Sequence, residues 1–284
     1  MPELPEVEIL RRHLAPRLPG RRVREVGILQ SRPLRPGTVD DMKAALKGVE
    51  LTGIGRRAKY LVIGFTCPTG DAGCLYVHLG MTGRLYLTSA GQRLPRHAVA
   101  WLELGGDRLV FEDARRFGRF TLDAGVLAGL GPEPLDEGFT VEVLAAGLKG
   151  SRSPVKMRLL DQSVVVGLGN IYACEALHLA GVSPFAPAGS LAQEAAGRLH
   201  QAIRKVLEEA IEVGQKLVLD FGAGSDGLFY FGSDGTRGGA GSGAERFRVY
   251  DREGQECVRC GGVIRREDLG GRGTYFCWGC QPVG

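Results

Sequence analysis

Hydrophobic and polar positions along the 284 residues follow two different periods. Pro5, acidic neighbours and then Val7, Ile9, Leu10 and Leu14 predict the first turns of a helix. Gly20 to Arg35 alternates loosely through Val23, Val26 and Ile28, while Leu51 to Phe65 and Cys74 to Leu87 are stronger strand candidates. Ala98 to Thr121 reads as a hairpin turning at Gly105-Gly106-Asp107, with Val99, Trp101, Leu109 and Phe111 on one face. As far as Leu130 the chain is therefore mainly β with a helix in front.

Gly131-Pro132-Glu133-Pro134 then opens a stretch, 132–150, that carries a short helical pattern and is read as an interdomain linker. From Ser153 the period becomes helical, with Val155, Leu159 and Leu160 on one side. A glycine-bounded turn follows, and a new helix runs from Ile171 to near Gly181, with Asn170 as its N-cap. Such a glycine-flanked helix start suits an anion, although a plain cap accounts for it equally. Ser190-Leu191-Ala192-Gln193 has the form of a capping box before a long amphipathic helix whose stripe is Leu199, Ile203, Val206, Leu207, Ala210 and Ile211. Phe221 to Ala244 is glycine-rich around Phe229-Tyr230-Phe231, which predicts a lid or a connector.

Size and composition narrow the class. A chain of 30.4 kDa buries a real core and has room for two domains. No signal peptide or membrane-length apolar run is visible, so the expectation is a soluble intracellular protein. The net charge of +4 is small, but residues 1–60 hold thirteen Lys/Arg against seven Asp/Glu, a weak pointer to a polyanion. Of seven cysteines, four form Cys257-x2-Cys260-x16-Cys277-x2-Cys280, the spacing of a structural zinc site. Cys67, Cys74 and Cys174 are scattered, which argues against a disulfide framework.

The candidate chemistry starts at Met1-Pro2-Glu3-Leu4-Pro5-Glu6-Val7-Glu8. Loss of Met1 would free the secondary amine of Pro2, which is largely uncharged near neutral pH and gives an iminium on attacking a sugar carbon. Glu3 is next to it and suited to proton transfer. The same residues also fit an ordinary helix start. Lys59 lies where a loop enters a strand, placed for a phosphate or simply for solvent. Met81 falls on a glycine-bounded turn, and Arg115-Arg116-Phe117 joins arginines to an aromatic. Exposed apolar tips of this kind unstack a duplex, while a core role for Phe117 and Phe120 fits the local pattern as well. Arg272, between Gly271 and Gly273 at the tip of a hairpin, has the reach for a groove or a phosphate.

Taken in order, these motifs resemble the formamidopyrimidine-DNA glycosylases, whose sister branch is endonuclease VIII. The resemblance runs through Pro2-Glu3-Leu4-Pro5-Glu6, Arg57-Ala58-Lys59-Tyr60-Leu61, His78-Leu79-Gly80-Met81, Arg115-Arg116-Phe117-Gly118, Gly131-Pro132-Glu133-Pro134, Gly167-Leu168-Gly169-Asn170-Ile171-Tyr172-Ala173 and the cysteines. It implies an α+β multidomain protein: an N-terminal β-sandwich catalytic domain with flanking helices (1–131), the linker (132–150), a helix-two-turn-helix domain (151–221), a lesion-recognition loop (222–245) and a zinc ribbon (246–284).

It further implies a bifunctional DNA glycosylase and abasic-site lyase of base excision repair, a monomer acting on damaged double-stranded DNA away from membranes. One structural Zn2+ would sit on Cys257, Cys260, Cys277 and Cys280. By resemblance, Pro2 is the nucleophile, Glu3 the donor that opens the sugar, Lys59 the proton donor for β-elimination and Arg272 the δ-elimination and phosphate residue. Met81, Arg115 and Phe117 match the triad that fills the void left by an extruded base. His78, His97, Arg152, Asn170 and Tyr250 match DNA contacts. Leu4 favours the oxidised-purine branch, acting on 8-oxoguanine and formamidopyrimidines. Gly214 to Phe221 departs from the usual threonine-rich approach to the loop, which leaves an oxidised-pyrimidine glycosylase as the alternative; a second alternative is a non-catalytic zinc-containing DNA-binding module, against which the intact Pro2, Glu3 and Lys59 argue.

Overall fold

The computed structural model describes residues 1–215 and 247–282, and the glycine-rich segment expected to be a lid or a connector lies outside the described residues. The chain divides into two compact units. One comprises Met1–Pro2 and Glu6–Ala128; the other comprises Glu3–Pro5, Gly129–Gly214 and the described residues from 247 onward.

The first unit holds two four-stranded antiparallel sheets. One has the order β1 (Glu25–Ile28), β6 (Ala98–Glu103), β7 (Asp107–Glu112), β5 (Arg84–Ser89). The other has the order β2 (Glu50–Arg57), β3 (Tyr60–Thr66), β4 (Ala72–His78), β8 (Arg119–Thr121). Alternation decides which faces meet: in β3, Leu61, Ile63 and Phe65 are buried while the residues between them are only partly covered. They share a core with Leu75, Val77, Leu85, Leu109, Phe111 and Phe120, closed by Val7, Leu10 and Leu14 of helix α1 (Leu4–Leu14). Helix α2 (Val39–Leu46) starts at a capping box between Thr38 and Asp41 and adds Met42 and Leu46.

Two sequence expectations merge separate strands. Leu51 to Phe65 is a hairpin, β2 and β3, with Arg57 opposite Tyr60. Cys74 to Leu87 spans β4 and β5, which belong to different sheets.

The second unit is built around α5 (Asn170–Ala180), a helix buried on nearly every side and ended by Gly181 at φ +67°. Against it pack α3 (Val141–Leu148), α4 (Val155–Leu160) and the apolar stripe of α6 (Gln193–Gln215). The stretch expected to be a linker therefore carries α3, whose Leu144 and Leu148 join this core. The capping box expected at Ser190 is not formed: Ser190 closes a 3-10 turn and its hydroxyl donates to the Pro187 carbonyl.

Strands β9 (Ile264–Leu269) and β10 (Arg272–Cys277) pair around a two-residue turn, Gly270-Gly271. Both glycines have positive φ, as a tight hairpin turn of this hand requires. Among the described residues, no helix is long and apolar enough to cross a membrane.

Candidate functional site

In the helical unit, the buried Glu3 carboxylate accepts backbone N–H groups from Gly169 (2.6 Å), Ile171 (2.9 Å) and Tyr172 (3.3 Å). N–H groups at a helix start have no carbonyl one turn back, so the start of α5 meets a carboxylate from its own chain. Asn170 is the first helical residue rather than the N-cap, which is Gly169. The physical reason is that Glu3 has already taken the donors an Asn cap would satisfy. Close approach is enforced by sequence: a Cβ on Gly169 would lie 2.4 Å from the Glu3 carboxyl carbon, and one on Gly167 would lie 2.5 Å from a Leu4 methyl.

The Asn170 side chain instead donates to the Gly273 carbonyl at 2.9 Å, next to exposed Arg272 at the start of β10. Its Oδ1 is buried with no hydrogen-bond partner among the described residues. Lys156, absent from the sequence reading, is fully buried and donates to the Thr274 hydroxyl at 2.6 Å. Burial lowers its pKa; the Arg272 charge acts the same way, while Cys174 and Glu3 oppose it. Its signal was a lysine inside the apolar pattern of α4. Tyr250 packs on Tyr275, with ring centroids 5.0 Å apart, and burial pushes its hydroxyl up to about 12.

Glu175 holds that segment, accepting the N–H groups of Arg248, Val249 and Tyr250 at 2.9 Å each. It too was not anticipated, although a glutamate in so apolar a helix is an anomaly worth following. Glu3, Asn170, Arg272 and Tyr250 thus belong to one bonded neighbourhood. Exposed Arg152 does not join it; its neighbours Ser151 and Ser153 bond instead to Gly189 and Ala188.

In the sandwich unit, Lys59 is the second residue of the β2–β3 turn and is buried. The register sets Tyr60 opposite His78, with rings 4.8 Å apart. Burial, then the positive charges of Lys59 and Arg119, hold His78 down to about 4, so its ring is neutral at pH 7. The Gly80 N–H donates to its Nδ1 at 3.0 Å, which leaves the ring proton on Nε2.

Beyond His78, Met81 and Phe117 are exposed, while Phe120 is buried in β8. The structure thereby separates two phenylalanines that local pattern leaves equivalent. Their loops interlock: Asp113 accepts the Thr82 hydroxyl (2.6 Å) and the N–H groups of Arg115 (3.2 Å) and Gly118 (2.8 Å). The Arg115 guanidinium lies 4.8 Å from the Phe117 ring centroid. His97 is exposed, and its carbonyl accepts the Asp113 N–H. Asp113, the hub of this frame, was missed because the partner that ties its loop to the next, Thr82, lies 31 residues away.

The four cysteine sulfurs lie within 4.8 Å of one another. Cys257 and Cys280 are 3.8 Å apart, and Cys260 and Cys277 are 3.4 Å apart. Zn–S bonds of about 2.3 Å in a tetrahedron place sulfurs roughly 3.8 Å apart, whereas a disulfide needs about 2.05 Å. The donor set fits zinc. His178 Nε2 lies 3.3 Å from Cys257 Sγ. Burial, with Arg259 and Arg248 adding to it, holds this ring down to about 4.

A β-sandwich unit, and a helical unit carrying a zinc ribbon and a carboxylate fixed directly after Pro2, define the class. Comparison with known proteins agrees at full length. Residues 1–120 match the formamidopyrimidine-DNA glycosylase N-terminal domain, 130–221 its H2TH domain, and 254–283 the zinc finger found in FPG and IleRS. Formamidopyrimidine-DNA glycosylases from Caulobacter sp. (strain K31) and Laribacter hongkongensis are 42% and 41% identical, covering 99% of this chain and 100% of each relative. Lactococcus lactis Fpg has been solved as a mutant with Fapy-dG-containing DNA and in complex with abasic-site DNA. Each is 31% identical with a TM-score of 0.85, covering 99% of this chain and 100% of that one. The chain belongs to the formamidopyrimidine-DNA glycosylase family. Its ribbon is a zinc finger with one metal position on Cys257, Cys260, Cys277 and Cys280.

Proposed function

We propose that this chain is a bifunctional DNA glycosylase and abasic-site lyase that excises oxidised purines, 8-oxoguanine and formamidopyrimidines, from duplex DNA. The observation that carries the reading is the Glu3 carboxylate, immobilised by three backbone donors one residue after Pro2. Once Met1 is removed, the Pro2 amine attacks the deoxyribose anomeric carbon as the bond to the damaged base breaks, the Glu3 carboxylate takes the proton that the amine sheds, and Glu3 then returns it to the ring oxygen as the sugar opens. The resulting iminium acidifies the neighbouring sugar carbon, and loss of that proton expels the 3′ phosphate. Lys59 is the proton donor of this β-elimination, and Arg272 serves the second, δ, elimination and binds phosphate.

A base within a stack is out of reach, so the nucleotide must be flipped, and Met81, Arg115 and Phe117 fill the space it leaves. Their exposure on an interlocked frame supports that role. His78, His97, Arg152, Asn170 and Tyr250 contact the DNA. Zinc, when bound, supplies structure rather than chemistry: it closes the hairpin that presents Arg272.

The domain plan that goes with this function keeps the sandwich at 1–131 and the zinc ribbon at 246–284. The Lactococcus protein has been solved with DNA carrying Fapy-dG and with DNA carrying an oxidised pyrimidine, so lesion class is the point to test. The test is single-turnover excision from matched duplexes holding 8-oxoguanine opposite cytosine or thymine glycol. Faster release of 8-oxoguanine followed by strand cleavage is expected. Preference for thymine glycol would assign the chain to oxidised pyrimidines, and failure to nick even an abasic duplex would leave only a binding module.

A further inference from the structure

The turn that carries Lys59 is strained and held from outside. Because Arg57 pairs with Tyr60, only Ala58 and Lys59 span the reversal between β2 and β3. Ala58 sits at φ +53°, a left-handed conformation unfavourable for a residue with a Cβ, and it is buried. Its carbonyl accepts Arg56 Nη1 at 2.9 Å. That carbonyl and the Lys59 N–H belong to one rigid peptide plane, so fixing the first orients the second.

The same guanidinium reaches helix α1, where Arg56 Nε donates to Glu8 Oε2 at 3.2 Å. Both side chains are only 11% exposed. Glu8 is itself anchored within its helix, accepting Arg11 Nε (3.0 Å), Arg11 Nη2 (2.8 Å) and Arg12 Nε (2.7 Å). The relay therefore runs from α1 through Glu8 and Arg56 to the Ala58 carbonyl and so to Lys59.

We propose that Glu8 and Arg56 are positioning residues for Lys59, joining the helix that follows Pro2 to the turn that presents the lysine. This rests on the role given to Lys59 above. A planar guanidinium is required, since its fork serves two acceptors at once, whereas an ammonium at position 56 is a single point charge on a flexible stem.

The test compares the wild type with Arg56→Met, Arg56→Lys and Glu8→Gln, the last keeping the shape of the side chain should Arg56→Met not fold. Single-turnover cleavage of 8-oxoguanine duplex, affinity for a duplex with a non-cleavable abasic analogue, and Tm are measured. The expected result is a loss of about tenfold or more in the chemical step for Arg56→Met and Glu8→Gln. Affinity should stay within about twofold, and Arg56→Lys should recover only part of the rate. A chemical step unchanged in folded variants, with only Tm lowered, would overturn the clamp while leaving the function intact. A rate loss that merely followed weaker binding would overturn it too. An inactive wild type would instead remove the functional reading and the clamp with it.

Discussion

Glu3 and Glu8 stand five positions apart near the start of the chain, both buried, and the protein holds them by opposite means. Glu3 is surrounded by backbone donors of the α5 N-terminus, while Glu8 is surrounded by the guanidinium groups of Arg11, Arg12 and Arg56. Backbone donors cannot change rotamer, so the α5 start fixes the carboxylate itself. Guanidinium groups are mobile until paired, so at Glu8 the carboxylate does the fixing. Burial alone would raise the Glu8 carboxyl, but hydrogen bonds from Arg11 and Arg12 and the charges of Arg11 and Arg56 outweigh it and hold it below the usual carboxylate range. The comparison separates a carboxylate that is positioned from one that positions others.

The largest effect should come from the positioned one. Glu3→Gln keeps the volume but can neither take up nor return a proton, so single-turnover excision of 8-oxoguanine should fall on the order of 10³-fold. A fall below tenfold would reduce Glu3 to a helix cap. Glu175 is held in the same way as Glu3, by three backbone donors, but the proposed chemistry gives it no part. Glu175→Ala leaves those donors unmet and should cost about 3 kcal/mol in urea denaturation. A cost below about 1 kcal/mol would show that such donors find water easily and that the contrast with Glu8 is overdrawn.

Phe117→Ala removes an exposed ring and should alter stability by less than about 0.5 kcal/mol. Affinity for lesion-containing duplex should weaken about tenfold, or about 1.4 kcal/mol, and a change in Tm without a change in affinity would return Phe117 to a structural role.

The smallest effect is one of pH. His78 is held down to about 4 against an ordinary 6.5, so between those values the unfolded chain binds a proton that the folded chain does not. Its contribution to stability is complete above pH 6.5 and is lost as pH falls towards 4. His78→Asn, which retains an acceptor for the Gly80 N–H, should flatten that limb of a plot of Tm against pH.

Features written in short-range spacing were legible from the sequence. The two C-x2-C pairs, the Gly105-Gly106-Asp107 turn and the stripe of α6 each depend on neighbours along the chain, and each lies where spacing puts it. What escaped depends on distant partners. The bonds from Glu3 to the start of α5 span up to 169 residues and the bond from Arg56 to Glu8 spans 48, so no local window contains both ends. Asn170 is a good cap by type, yet it was displaced by a carboxylate from the far end of the chain. Phe117 and Phe120 share the same local composition, and only the pairing of β8 with β4 decides which is buried.

The central claim is that the Pro2 amine and the fixed Glu3 carboxylate act together on a damaged nucleotide. Borohydride trapping on a duplex carrying 8-oxoguanine opposite cytosine tests it most directly, with wild type beside Pro2→Gly and Glu3→Gln. A covalent protein–DNA adduct from the wild type, lost or strongly reduced in both variants, is the predicted result. An adduct that persisted undiminished in Pro2→Gly would place the nucleophile elsewhere and contradict the account.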